Sequence, residues 1–181
     1  MSKTSGPALK TTDRGRRSVR LFISYSHRDY VWMDRLVPLL DGFQSDDRVG
    51  NRGIQYLRAW HDNELTAGNQ WDGQIKRELE KMDIFVPLVS TNFFASWYIQ
   101  KVELSCAKKR HKRGEILVLP ILLHKMNLRE KCKFLHSFSL APSSSRPWAS
   151  FANRSQAHWL IDAALWKAID EALKYKATSA V

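Results

Sequence analysis

The sequence predicts a doubly wound α/β domain of flavodoxin-like order, a five-stranded parallel sheet with helices on both faces. Three observations predict it. Short apolar runs alternate with amphipathic stretches along the chain, the pattern of strands joined by right-handed helical crossovers. Several of these runs are apolar throughout, as strands buried on both faces must be. The 181 residues suffice for one well-buried core but not for two ordinary domains with a linker. Hydrophobic content of 44% against 26% charged residues is that of an ordinary globular chain, which argues against wholesale disorder.

Residues 1–17, rich in Ser, Thr, Gly, Lys and Arg without periodicity, read as a flexible basic arm; the domain spans 18–176 and 177–181 form a tail. Val19 to Tyr25 (VRLFISY) is the first strand. Ser26 and Asp29 then give an S-x-x-D helix start, followed by an apolar stripe of Trp32, Leu36, Leu39 and Phe43 in which Pro38 should impose a kink or a boundary. After the polar loop 46–53, Ile54 to Trp60 is the second strand; after the loop 61–70, Trp71, Ile75 and Leu79 mark a helix. Met82 to Val89 is the third strand, weakened near its end by Pro87. Residues 92–112 read as one helix with Ile99, Val102 and Cys106 inward, and Ile116 to Leu123 as a fourth strand interrupted by Pro120. A basic connection from Lys125 to Ser137 has room for a short helix, Phe138 to Ala141 is a weak fifth strand, and Trp159, Ala163, Trp166, Ile169 and Leu173 stripe a terminal helix. In this strand order ligands bind outside the carboxyl ends of the first and third strands, here Ser24-Tyr25-Ser26 and Ser90-Thr91-Asn92.

Composition narrows the function classes. Cys106 and Cys132 have neither CxxC spacing nor a disulfide-scaffold count, and the histidines are scattered, so no metal is implied. No apolar run approaches the roughly 20 residues of a membrane helix, and the basic N-terminus lacks an apolar signal core, which points to the cytoplasm and to no membrane partner. A net charge of +11 invites a nucleic-acid reading, but the cations gather in the arm, in Lys108 to Arg113 and around Lys125 to Lys133. A tail and the solvated last turn of a helix account for them more simply, and nucleic acid is set aside. No G-x-G-x-x-G follows the first strand, which removes a dehydrogenase reading.

Phe22 to Asp29 (FISYSHRD) resembles the first conserved box of TIR (Toll/interleukin-1 receptor) domains, bacterial ones in particular. Four further pieces follow in order. Trp60-His61-Asp62 with Leu65, Gly68 and Trp71 resembles the family's second strand and BB loop, and Val89 to Tyr98 (VSTNFFASWY) the segment after its third strand. Val102-Glu103-Leu104 with Ala107 resembles the glutamate-bearing helix, and Gly114-Glu115 leading into Val118 to Leu122 the fourth strand, with Pro147-Trp148 and the Trp159 helix completing the series.

The resemblance implies an enzyme of the NAD-cleaving type, active in bacterial antiviral defence and switched on by self-assembly, with a non-catalytic TIR–TIR scaffold as the alternative. Glu103 matches the catalytic glutamate. Nicotinamide departs as a neutral group, so one carboxylate facing the developing oxocarbenium charge suffices. NAD+ would be a substrate and no cofactor is implied. Ser24 and Ser26 are placed to approach ribose or phosphate, with His27 and Arg28 to offset phosphate charge; Trp60, Trp97 and Tyr98 are aromatic candidates for substrate contact. Ile99 stands where several enzymatic relatives carry an aromatic, so that either Tyr98 or Trp97 substitutes for it or the nicotinamide subsite is altered. Asp62, Leu65 and Gly68 belong to the implied assembly loop, through which other TIR domains, or a sensor domain or partner protein outside this chain, would act.

Overall fold

In a computed structural model of the chain, residues 18–54, 56–61, 71–143 and 145–178 are described, without the side chains of residues 44, 45, 56, 71 and 178. The order is β1 (Ser18–Ser24), a 3-10 turn (His27–Asp29), α1 (Tyr30–Ser45), α2 (Asp47–Asn51), β2 (Tyr56–Trp60), α3 (Trp71–Lys81), β3 (Ile84–Val89) and α4 (Thr91–Ala95). A π-helical turn (Ile99–Glu103) leads into α5 (Leu104–Lys112); then come β4 (Leu117–Val118), β5 (Ile121–Leu122), α6 (Leu128–Lys131), α7 (Lys133–His136), a 3-10 turn (Trp148–Ser150) and α8 (Arg154–Thr178).

The sheet is five-stranded and parallel, in the order β2-β1-β3-β4 with β5 also on β3. β1 is central, pairing Leu21 with Ala59 on one side and with Ile84 on the other. Alternate β1 residues face opposite layers, as the period of two requires. Val19, Leu21 and Ile23 pack with α1 and α8 through Met33, Leu36, Ile161 and Leu165, whereas Phe22 packs with Ile75, Leu79, Phe85 and Ile99 on the other face. Each fully buried Phe or Leu here contributes about 1.5–3 kcal/mol. This two-sided burial is why the strand sequences are apolar throughout.

Several elements depart from expectation. Pro38 does not end its helix: α1 runs through it, because Pro38 and Asp34, whose carbonyl loses its partner, both lie on the exposed face. Pro87 stays within β3. Asp83 and Phe85 accept backbone bonds from Leu117 and Leu119, and Val89 from Leu123, so Pro87's missing donor falls in the gap between β4 and β5. That gap is where Pro120 splits the expected fourth strand. The expected fifth strand at 138–141 is reduced to one bridge, Ala141 with Ile121. In α8 the inward face is Ala157, Ile161, Leu165, Ile169 and Ala172, joined by Trp166 and Leu173. Trp159, expected inward, is 68% exposed.

The expected single helix over 92–112 is broken at Ser96, which caps α4, and the chain re-enters helix through the π turn, where Leu104 N–H bonds to the Ile99 carbonyl five residues back. Its buried residues are Ile99, Glu103, Leu104 and Ala107; Val102 and Cys106, expected inward, are half-buried.

Candidate functional site

The carboxyl ends of β1 and β3 open into a cleft of about 390 Å³. Its floor and one wall come from the segment after β1, namely Tyr25, Ser26, His27 and Arg28; the opposite wall is Asn92, Ala95, Ser96, Tyr98, Ile99 and Glu103. This is the crevice a doubly wound sheet leaves between its first and third strands.

Glu103 reaches the cleft from the last residue of the π turn. Only 8% of its surface is exposed, so it does not sit on the solvent face of the helix. Such burial of a carboxylate is costly without a donor, and Ser24, the last residue of β1, donates its hydroxyl to Glu103 Oε2. The catalytic candidate is therefore tied to the central strand rather than carried on a loop.

A second buried carboxylate stands at the same end of the sheet. Asp29 ends the 3-10 turn after β1 and is 4% exposed. It takes part in no capping box: its oxygens accept from the Ser90 hydroxyl and, at 2.8 Å, from Asn92 Nδ2. Ser90 Oγ in turn accepts from Phe93 N–H at 2.9 Å, capping α4. The S-x-x-D spacing marks Asp29 only as a helix-start residue; its proximity to Ser90 and Asn92 across the strand ends reveals what it binds.

Tyr98 forms the outer wall, its hydroxyl donating to Asp72 Oδ1 at 2.9 Å. Burial first, and then this bond, pushes the Tyr98 phenol above the usual tyrosine range. Donation from Lys76 first, then Tyr98, holds the Asp72 carboxyl below the usual carboxylate range. Ile99 is buried in the wall at the point where the sequence departs from the family's aromatic.

The remaining candidates divide. Ser26 lines the cleft; Ser24 is not in the lining and meets Glu103 through its hydroxyl. Trp60 does not line it: at 2% exposure it stacks on Phe22 with ring centroids 4.8 Å apart, which makes it a core residue. Trp97 is 69% exposed and turned away from the lining. Asp62, Leu65 and Gly68 lie outside the described residues. Among the described residues no group of three or more His, Cys, Asp or Glu is arranged to hold a metal ion. Burial pushes the Cys106 thiol up, away from the nucleophilic thiolate. No described helix is long and apolar enough to cross a membrane.

Comparison with known proteins agrees with the geometry. The chain is 34% identical over 103 residues to the uncharacterized protein y4lF of Sinorhizobium fredii (strain NBRC 101917 / NGR234), a match that covers 57% of this chain and 29% of that protein. The chain thus spans less than a third of that relative's length. Residues 21–159, from the central strand to the start of the terminal helix and including both buried carboxylates, match the TIR domain. The chain belongs to the TIR domain family.

Proposed function

We propose that this TIR domain is an NAD+ nucleosidase that cleaves the bond between nicotinamide and ribose. The observation that carries the reading is the Glu103 carboxylate, buried at the switch-point cleft and held by Ser24. As the bond to the pyridinium nitrogen breaks, its electron pair leaves with nicotinamide, which becomes neutral, and positive charge develops at the ribose carbon. A fixed carboxylate in a partly dry cleft stabilises that charge more than it stabilises the ground state. Water then adds to the ribose carbon and loses a proton, giving ADP-ribose, nicotinamide and H+; attack by a group within the same molecule gives the cyclic product instead. Ser26 and the Arg28 guanidinium line the cleft where ribose and diphosphate would lie. NAD+ is consumed, not retained.

Activity in this reading is latent until copies of the domain assemble in the cytoplasm through the segment that contains Asp62, Leu65 and Gly68, in keeping with a role in bacterial defence. The test is direct. Purified protein, with and without a crowding agent, is incubated with NAD+ and assayed for nicotinamide. Release by the wild type and a loss of at least about 100-fold in Glu103→Gln is expected. Equal release by Glu103→Gln sinks the assignment of Glu103, and no release under any condition favours a scaffold that only binds other TIR domains.

A further inference from the structure

We infer that Asn92 reads a nitrogen-bound donor on the ligand, an amide or amino N–H, and that Asp29 fixes the way Asn92 faces. The inference rests on the nucleotide reading above and states how the same cleft selects among dinucleotides.

An Asn side chain ends in two N–H donors and one acceptor oxygen, and two rotamers interchange them. Here the choice is made by Asp29. Its Oδ1 accepts from Asn92 Nδ2 at 2.8 Å, while Ser90 occupies the other carboxylate oxygen. Turning the Asn92 amide over would set oxygen against oxygen, at a carboxylate only 4% exposed and with little water to relieve it. Ser90 is committed as well, accepting from Phe93 N–H while it donates to Asp29.

Asn92 itself lines the cleft, at the carboxyl end of β3 and in the same wall as Glu103. With one N–H of Nδ2 engaged, Oδ1 is the acceptor Asn92 has to offer, set beside its second N–H. A donor bound to a carboxylate polarises the amide and strengthens that oxygen as an acceptor. A site built to hydrogen-bond an N–H rejects an analogue that brings an oxygen instead, because two acceptors are then left facing each other.

A nicotinamide–adenine dinucleotide carries two such donors, the nicotinamide carboxamide and the adenine amino group. Two analogues separate them. One has nicotinic acid in place of nicotinamide, the other hypoxanthine in place of adenine. Dissociation constants for NAD+ and both analogues are measured by calorimetry on Glu103→Gln, which cannot consume its ligand, and on the same protein with Asn92→Leu. We expect Glu103→Gln to prefer NAD+ over one analogue by on the order of 100-fold, and Asn92→Leu to bring that ratio within about threefold of unity while leaving the other ratio alone. Asp29→Asn should shrink the same ratio, because an amide at position 29 accepts either rotamer of Asn92.

Ratios that are the same with Asn92 and with Leu at that position overturn the inference, as does failure of Glu103→Gln to bind any of the three. If Asp29→Asn does not fold, the half-exposed Asn92 position still supplies the test. Because binding is read without turnover, a wild type that releases no nicotinamide removes the nucleosidase reading and leaves this comparison standing.

Discussion

Ser24 is the side chain on which Glu103 leans, and the pair shows how one residue at a strand end sets another's chemistry. Ser24 is buried, ends the central strand and gives its hydroxyl to the carboxylate. Ser24→Ala leaves a buried acceptor short of a donor, which costs about 1–3 kcal/mol of stability and frees the carboxylate to turn. Nicotinamide release should fall in kcat by about tenfold or more with little change in KM, because the position of Glu103 matters most in the transition state. Unchanged kcat in a folded Ser24→Ala, with folding checked by urea denaturation, would show that the bond is structural only. Glu103, Ser24, Ser26 and Tyr98 were legible as candidates because motif and chain order place Ser24 and Ser26 at the end of β1, and Tyr98 and Glu103 in the helical segment that follows β3. Trp60 and Trp97 were not correctly placed. An aromatic ring serves equally to fill a core, as Trp60 does against Phe22, or to stand in solvent, as Trp97 does, and residue type carries no depth.

At the scale of elements, the break at Ser96 and the π turn decide which residues share the cleft wall. A π turn carries one residue more than the α-helical path. Deleting Lys101, which is exposed within that turn, should restore a plain helix and put Tyr98 and Ile99 out of register with Glu103. We expect a folded protein by circular dichroism, a melting temperature lowered by a few degrees, and loss of nicotinamide release; full activity would remove the π turn from the mechanism. No apolar periodicity announces this turn, since Ile99 and Glu103 keep helical spacing either way. The split of the fourth strand was legible at Pro120, but the survival of β3 through Pro87 was not, because it depends on a gap two strands' registers create together.

The Tyr98–Asp72 bond joins α4's exit to α3, the helix that follows residues 62–70, and its pH dependence follows from the two shifts. Tyr98 is raised, so its contribution is present below the ordinary value of 10.0 and is lost as pH rises toward the folded value. Asp72 is depressed, so its contribution is present above 3.8 and is lost as pH falls through the lower folded value. Neither group titrates in the neutral range. From about pH 6 to 9 the activity profiles of wild type and Tyr98→Phe should run parallel, with Tyr98→Phe displaced toward higher KM. An ionisation in that window present in one and missing from the other would refute the tie's pH independence.

For the whole molecule, charge sets the terms of assembly. Every copy carries a formal +11, so copies repel one another before any loop can dock. That figure is already net of the ion pairs, in which Arg48 and Arg52 meet Asp162 and Asp170 across to α8 and cover Trp166, and Arg110 and Arg113 meet Glu115. The balance is left to act between copies. If activity depends on copies meeting, nicotinamide release per chain should rise with protein concentration, and at a fixed concentration it should rise again as salt shortens the Debye length from about 30 Å at 0.01 M to about 10 Å at 0.1 M. A polyanion holding the chains together makes the opposite prediction, because affinity for phosphates falls steeply with salt. A two-way titration of protein and salt, with nicotinamide as the readout, separates the cases: activity per chain that is flat in both removes assembly from the mechanism, and activity that climbs with protein but collapses with salt restores the nucleic-acid reading that the charge distribution set aside.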